Sequence, residues 1–213
     1  MRTRSMLLFL LSILFFIPCS ISQVVFTNLT KSNLPKSIKY KGKFIDALQY
    51  KDSLGENIII RSETGIYQTK ADIDSGTNSA DLYAYRYILK GDSALLAWRL
   101  IDLVKQCELD ITANFINSAF FLTDLDKDHI AEVWVVSQTS CRGDVSPNTM
   151  KIIMYEGIQK YTVKGLRKIQ LSRTETLGGT YTFDANFKKG NAVFRDYAKM
   201  LWKKNEVNED EPL

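Results

Sequence analysis

The chain is poor in histidine, in proline and in charge of one sign. Among 213 residues there are one histidine, His129, and four prolines. Zinc sites of the H-E-x-x-H kind are therefore absent. A Ser-His-Asp triad is disfavoured because the lone imidazole falls inside an acidic stretch, where it has another explanation. Eleven glycines without a repeat exclude a collagen-like chain, and 45% hydrophobic residues exclude an intrinsically disordered one. Neither a P-loop nor a dinucleotide-binding glycine fingerprint occurs. Lysine and arginine number 28 against 24 acidic residues, a formal charge of +4 that falls by two if Arg2 and Arg4 leave with a leader. So small a positive balance argues against nucleic acid as a partner. The apolar run 6–17 is shorter than the ~20 residues a transmembrane helix needs, and the remainder of the chain offers no spanning segment.

What the N-terminus has is the pattern of an export signal. Met1-Arg-Thr-Arg4 is positively charged, 6–17 is apolar, Pro18 breaks the helix, and Ser20-Ile-Ser22 puts small residues before a cleavage point. The expected signal peptide is 1–22, with cleavage before Gln23. Cys19 leaves open a lipoprotein signal, although Pro18 stands where such signals carry a small residue. The mature chain then keeps Cys107 and Cys141, which in an oxidising compartment are expected to form one disulfide. Two separate buried thiols are the alternative.

The mature part, 23–205, is expected to form a single β-rich domain: mainly β, with antiparallel sheets in a sandwich or open barrel and a C-terminal amphipathic helix. Strand composition occurs at 44–50, 57–61, 82–89, 119–123, 132–139, 151–156 and 160–164, bounded by Gly, Asn, Asp or Ser turns. The stretch 94–107 is apolar enough for a buried strand, yet Arg99, Asp102 and Gln106 recur at helical spacing behind Ser93; strand is the preferred reading. Phe194, Tyr197, Ala198, Leu201 and Trp202 recur at i, i+3, i+4, i+7, i+8 and predict a helix over about 191–205. Residues 206–213, with Glu206, Glu209, Asp210 and Glu211, read as an acidic frayed tail. Two groups of basic residues, Lys160 with Lys164, Arg167, Lys168 and Arg173, then Lys188 to Lys204, are expected on solvated faces.

One constellation carries chemistry. Asp124-Leu-Asp126-Lys-Asp128-His-Ile130-Ala-Glu132 places acids at positions 1, 3, 5 and 9 of a tight loop between two expected strands. Calcium takes six to eight oxygens at about 2.3–2.6 Å, which alternate carboxylates of such a loop can supply. An EF-hand would need an acid at position 12, where this chain has Val135. The shorter set is Asp124, Asp126, Asp128, Glu132 and the carbonyl of Ile130. Here the chain resembles the calcium loops of integrin-type (FG-GAP) and bacterial propeller-type repeats, which connect the strands of a hairpin. Position 6, usually glycine with a positive φ, is His129. The expected ion is structural calcium; a polar turn whose aspartates cap the backbone is the alternative. The similar stretch Asp72-Ile-Asp74-Ser-Gly76-Thr-Asn78 has Ala80 where the closing acid belongs, and reads as a solvated loop.

The motifs Thr123-Asp-Leu-Asp-Lys-Asp, Ile130-Ala-Glu-Val-Trp134, Cys141-Arg-Gly-Asp-Val-Ser-Pro147 and Met150-Lys-Ile-Ile-Met-Tyr-Glu-Gly157 resemble a family of exported bacterial proteins labelled surface polysaccharide biosynthesis proteins, for which no reaction is defined. The resemblance implies location in the periplasm, at the cell surface or outside the cell, and association with surface polysaccharide or an envelope complex. It implies no catalytic residues. The leading expectation is thus a non-catalytic, calcium-binding envelope protein. The alternative is a carboxylate-dependent glycan hydrolase, with Asp102, Glu108 and Asp110 as candidate acids. Tyr83, Tyr85 and Tyr87 share one face of a strand and could stack on sugar rings if that face is open; core is the commoner fate.

Overall fold

The computed structural model describes residues 24–116 and 120–207. The leader 1–22, Cys19 and the expected cleavage point lie outside the described residues. Strands β1 (Phe26–Leu29), β2 (Lys43–Asp52), β3 (Gly55–Tyr67), β4 (Asn78–Lys90) and β5 (Ser93–Cys107) form one antiparallel sheet in sequence order, with helix α1 (Lys70–Ser75) between β3 and β4. The second sheet uses β6 (Asp110–Phe115), β7 (Phe121–Thr123), β8 (Glu132–Arg142), β9 (Thr149–Glu156) and β10 (Gln159–Leu166). The short strands β11 (Lys168–Gln170) and β12 (Thr176–Gly178) pair with each other. Strand β13 (Tyr181–Phe183) then returns to β10, giving the order β13-β10-β9-β8-β6, with β7 beside the first half of β8. Helices α2 (Ala185–Lys189) and α3 (Ala192–Asn205) close the chain. The fold is mainly β, built of two open antiparallel sheets and not a closed barrel.

Strand alternation sorts the side chains into three apolar layers. Leu48, Ile59, Leu82 and Leu100 of the first sheet meet Val133, Val135 and Ile153 of the second, and Trp98 stacks on Tyr155 across the layer with centroids 4.1 Å apart. The neighbours of opposite parity, Trp134, Val136, Ile152 and Met154, point the other way, under Phe187, Phe194, Leu201 and Trp202 of α2 and α3. The amphipathic stripe of the C-terminal helix is core, as its spacing required. Strands β8 and β9 are buried on both faces, which explains their runs of consecutive β-branched and apolar residues.

The third layer closes the tyrosine face. Tyr83, Tyr85 and Tyr87 pack with Ile58, Ile60 and Ile38 under the segment that links β1 to β2. The Lys41 N–H donates to the Tyr85 hydroxyl at 3.1 Å, and the Tyr87 hydroxyl donates to the Lys39 carbonyl. These rings cannot stack on a sugar while that segment covers them.

The 94–107 stretch is strand: Trp98, Leu100, Asp102 and Val104 are buried while Arg99, Ile101 and Leu103 are exposed, an alternation of two. Cys107, which ends this strand, is bonded to Cys141 of β8 across a sequence separation of 34, so the bridge ties the two sheets together. A loop of that length corresponds to about 3–4 kcal/mol on the chain-entropy model.

Three expectations are corrected. Asp72 does not lie in a solvated loop: it is 1% exposed at N3 of α1, where it and Thr69 form a reciprocal capping box. Arg167 is not on a solvated face: it is 5% exposed, donating Nε to the Asn205 carbonyl at 3.1 Å and Nη1 to Gln138 Oε1 at 2.7 Å. The tail does not fray from 206, because Lys168 N–H donates to the Glu206 carbonyl at 2.5 Å and Arg167 also donates to the Val207 carbonyl. Residues 208–213 lie outside the described residues. No helix among the described residues is long and apolar enough to cross a membrane.

Candidate metal centre

The loop 124–132 joins two paired strands, with Thr123 opposite Glu132 and Phe121 opposite Trp134. A nine-residue turn between such close ends needs left-handed backbone, and Lys127 and His129 supply it at φ 64° and 67°. His129 therefore occupies the conformation that glycine takes at position 6 of similar loops. Its N–H donates to Asp124 Oδ1 at 3.3 Å, and the Ile130 N–H donates to Asp128 Oδ1 at 2.7 Å. Asp124, Asp126 and Asp128 are brought together, each offering a carboxylate oxygen within 4.8 Å of the others.

Glu132 begins β8 and faces inward at 0% exposure. Trp134 Nε1 donates to Thr123 Oγ1 at 2.8 Å, Thr123 Oγ1 donates to Glu132 Oε2 at 2.6 Å, and Leu125 N–H donates to the same carboxylate at 3.0 Å. This relay aims Glu132 at the loop.

The structure adds a residue that the sequence pattern does not contain. Glu156, the last residue of β9, stands directly opposite Glu132 in the ladder, and Asp126, Glu132 and Glu156 form a second group of carboxylates within 4.8 Å. Asp126 thus belongs to both groups, and its Oδ1 is buried without a hydrogen-bond partner. No local signal could have found Glu156. It lies on another strand, and only the β8–β9 register brings it across.

Like charges directly opposite on a ladder repel. Burial pushes the Glu132 carboxyl up to about 7, and the charges of Asp126 and Asp124 push the same way against the hydrogen bonds from Thr123 and Leu125. Burial also raises Glu156, with Asp126 adding to it and the Tyr161 hydroxyl, 3.2 Å away, opposing it. Each of these acids is easier to hold as a neutral group, or beside a cation, than as a bare carboxylate. No lysine or arginine among the described residues forms an ion pair with Asp126, Asp128, Glu132 or Glu156. The two carboxylate groups share Asp126 and offer only oxygen donors, the donor type that hard divalent cations take.

The loop is anchored to the first sheet. Ser53 N–H donates to the His129 carbonyl at 2.8 Å, and Ala131 N–H donates to Asp52 Oδ2 at 3.2 Å. Asp52 also accepts from Leu54 N–H and Asn57 Nδ2, while Arg86 donates to Asn57 Oδ1 and to the carbonyl of Gly157, next to Glu156. Loop, β2–β3 turn and β9–β10 turn are therefore one hydrogen-bonded unit at one end of the sandwich.

The remaining candidates are dispersed. Asp102 is 3% exposed between the sheets, accepting from Ser137 Oγ at 2.9 Å and paired with Lys151, a structural position closed to substrate. Asp110 and Glu108 lie on the surface near the disulfide. In the Arg-Gly-Asp sequence, Arg142 donates to the Asp144 carbonyl and to Asn148 Oδ1, and Asp144 accepts from Ser146 N–H, so these residues form a corner. Comparison with family models, with curated proteins and with solved structures returned no match.

Proposed function

We propose that this chain is an exported, non-catalytic cell-envelope protein whose 124–132 loop binds calcium as a structural staple, and that it serves surface polysaccharide assembly or binding. Two overlapping carboxylate groups, Asp124 with Asp126 and Asp128, and Asp126 with Glu132 and Glu156, carry the calcium part of the reading. A cation there would offset the mutual repulsion of acids drawn from β8, β9 and their connecting loops, and so would hold that end of the second sheet to the β2–β3 turn. Burial of Glu132 behind Thr123 and Leu125 favours a staple over a proton donor to substrate. The envelope and polysaccharide part rests on the resemblance carried by the 123–157 motifs. A sugar site, if built on Tyr83, Tyr85 and Tyr87, would first have to displace the segment that covers them.

Thermal melting in chelator and in millimolar calcium tests the staple. The expected result is a higher midpoint in calcium and none in magnesium, whose six short oxygen bonds suit so large a carboxylate set poorly. Equal midpoints in calcium and chelator would remove calcium from the proposal. Fractionation of the native cells, followed by capture on immobilised surface polysaccharide, tests the remainder: a cytosolic chain would overturn export, and failure to bind would overturn the polysaccharide association.

A further inference from the structure

The modest net charge of the chain hides a strong asymmetry. Residues 24–157 carry fifteen lysines and arginines against seventeen acids, whereas 158–207 carry eleven against four, an excess of seven positive charges. Such an excess on one part of a fold attracts a polyanionic partner. Where it borders a concavity, the partner has a seat.

That concavity is a groove of about 1150 Å³ between the start of β6, the corner after β8 and strand β11 with the turn that follows it. Its two walls differ in charge. On the β6–β8 wall Asp110 stands directly opposite Arg142 in the ladder, and Asp144 accepts from the Ser146 N–H at 2.9 Å, so the charges of that wall already have partners. On the β11 wall, Lys168 and Arg173 have no acid within ion-pair distance among the described residues. Val145 and Leu171, 67% and 43% exposed, add apolar surface, and the hydroxyls of Thr112 and Ser172 complete the lining.

We propose that this groove binds an anionic polysaccharide, with a uronate carboxylate on Lys168 and Arg173 and a sugar ring over Leu171 and Val145. The assignment rests on the polysaccharide reading above and gives that ligand a place and a chemical class. A sugar acid presents the three surfaces the groove can meet: a carboxylate for the cations, hydroxyls for Thr112 and Ser172, and a C–H face for the apolar side chains. A bilayer is too flat to enter such a groove. The cationic wall offers an acidic peptide only the three residues of β11 to pair with as a strand.

Titration calorimetry of the full chain with oligogalacturonate tests this, with neutral dextran of equal length and poly-L-glutamate as comparisons. The parent should bind oligogalacturonate, less tightly as salt rises, and should not bind dextran. Lys168→Gln/Arg173→Gln should weaken oligogalacturonate at least about tenfold, whereas Lys36→Gln/Lys90→Gln, at exposed lysines outside the groove, should change it less than about twofold. Arg173→Gln alone, at an exposed residue, should weaken it about threefold and serves if the pair lowers the melting midpoint. Equal weakening by the two pairs would overturn the site, since the attraction would then be unspecific. Tighter binding of poly-L-glutamate would overturn the sugar in favour of an acidic peptide. Capture on the native surface polysaccharide separates this site from the broader reading: equal capture of the parent and of Lys168→Gln/Arg173→Gln would overturn the groove alone, and capture of neither would overturn both.

Discussion

Replacing Glu156 by glutamine should act with opposite signs with and without calcium. In chelator, Glu132 and Glu156 face each other with carboxyl oxygens no more than 4.8 Å apart, and they repel at any pH high enough to ionise both. Two unit charges at that distance repel by about 3.5 kcal/mol at an effective dielectric constant of ~20. Glutamine removes that repulsion but weakens the hydrogen bond from Tyr161, worth about 1 kcal/mol. After further allowance for solvent screening, the chelated variant should be more stable than the parent by about 1–2 kcal/mol. For a domain of this size, that is a rise in Tm of roughly 2–8 °C. With free calcium at 100 times its Kd, the parent gains about 2.7 kcal/mol, most of which the variant should forgo because it has lost a ligand. The assay is a pair of melting curves for each protein, read by circular dichroism in chelator and in millimolar calcium. Destabilisation of equal size in both conditions would refute the reasoning, since it would make Glu156 an ordinary hydrogen-bonding residue with no part in an ion site.

Three further outcomes follow from the same structure. The Asp72 carboxyl is held at about 2, against 3.8 for a free carboxyl, first by the Thr69 N–H and then by the Thr69 hydroxyl. A depressed folded value means stability that is present above about pH 4 and lost as pH falls through 2, so Asp72→Asn should flatten the acid limb of a pH titration of stability; parallel limbs would count against it. Cys141→Ser should cost about 2–5 kcal/mol in urea unfolding, and an unmoved midpoint would mean the bridge contributes nothing. His129→Gly should keep the fold, relieve the left-handed backbone at φ 67° and free Asp124 from the imidazole 3.7 Å away, giving tighter calcium binding by titration calorimetry; a clear loss of affinity would show the loop has been misread.

Much of the strand content was legible because its cause is local. Runs such as Val133 to Val136 and Ile152 to Met154 are β-branched or apolar and end at polar or glycine turns. What such runs cannot state is which face meets which layer, because both faces are buried. Asp72 was misread although its signal was present: Thr69-x-x-Asp72 is a capping box, obscured by the alternating acids that follow. Arg167 gave no such signal. A guanidinium beside other basic residues reads as surface, and it is buried here only because Asn205, Val207 and Gln138 arrive from distant parts of the chain to accept its protons.

The acidic loop shows where that boundary falls. Its four carboxylates and the histidine at the glycine position, with its left-handed backbone, were readable from nine consecutive residues, because loop geometry is set by near neighbours. The disulfide partners could be named for a simpler reason, that only two cysteines remain beyond the expected leader. Tertiary structure alone decided the rest: that Glu156 completes the carboxylate cluster through the register of β8 and β9, that Asp52 and Arg86 anchor it from the other sheet, and that the tyrosine face is closed. Register and layer stacking depend on the sum of many weak contacts over the whole chain, and no short stretch of sequence contains that sum.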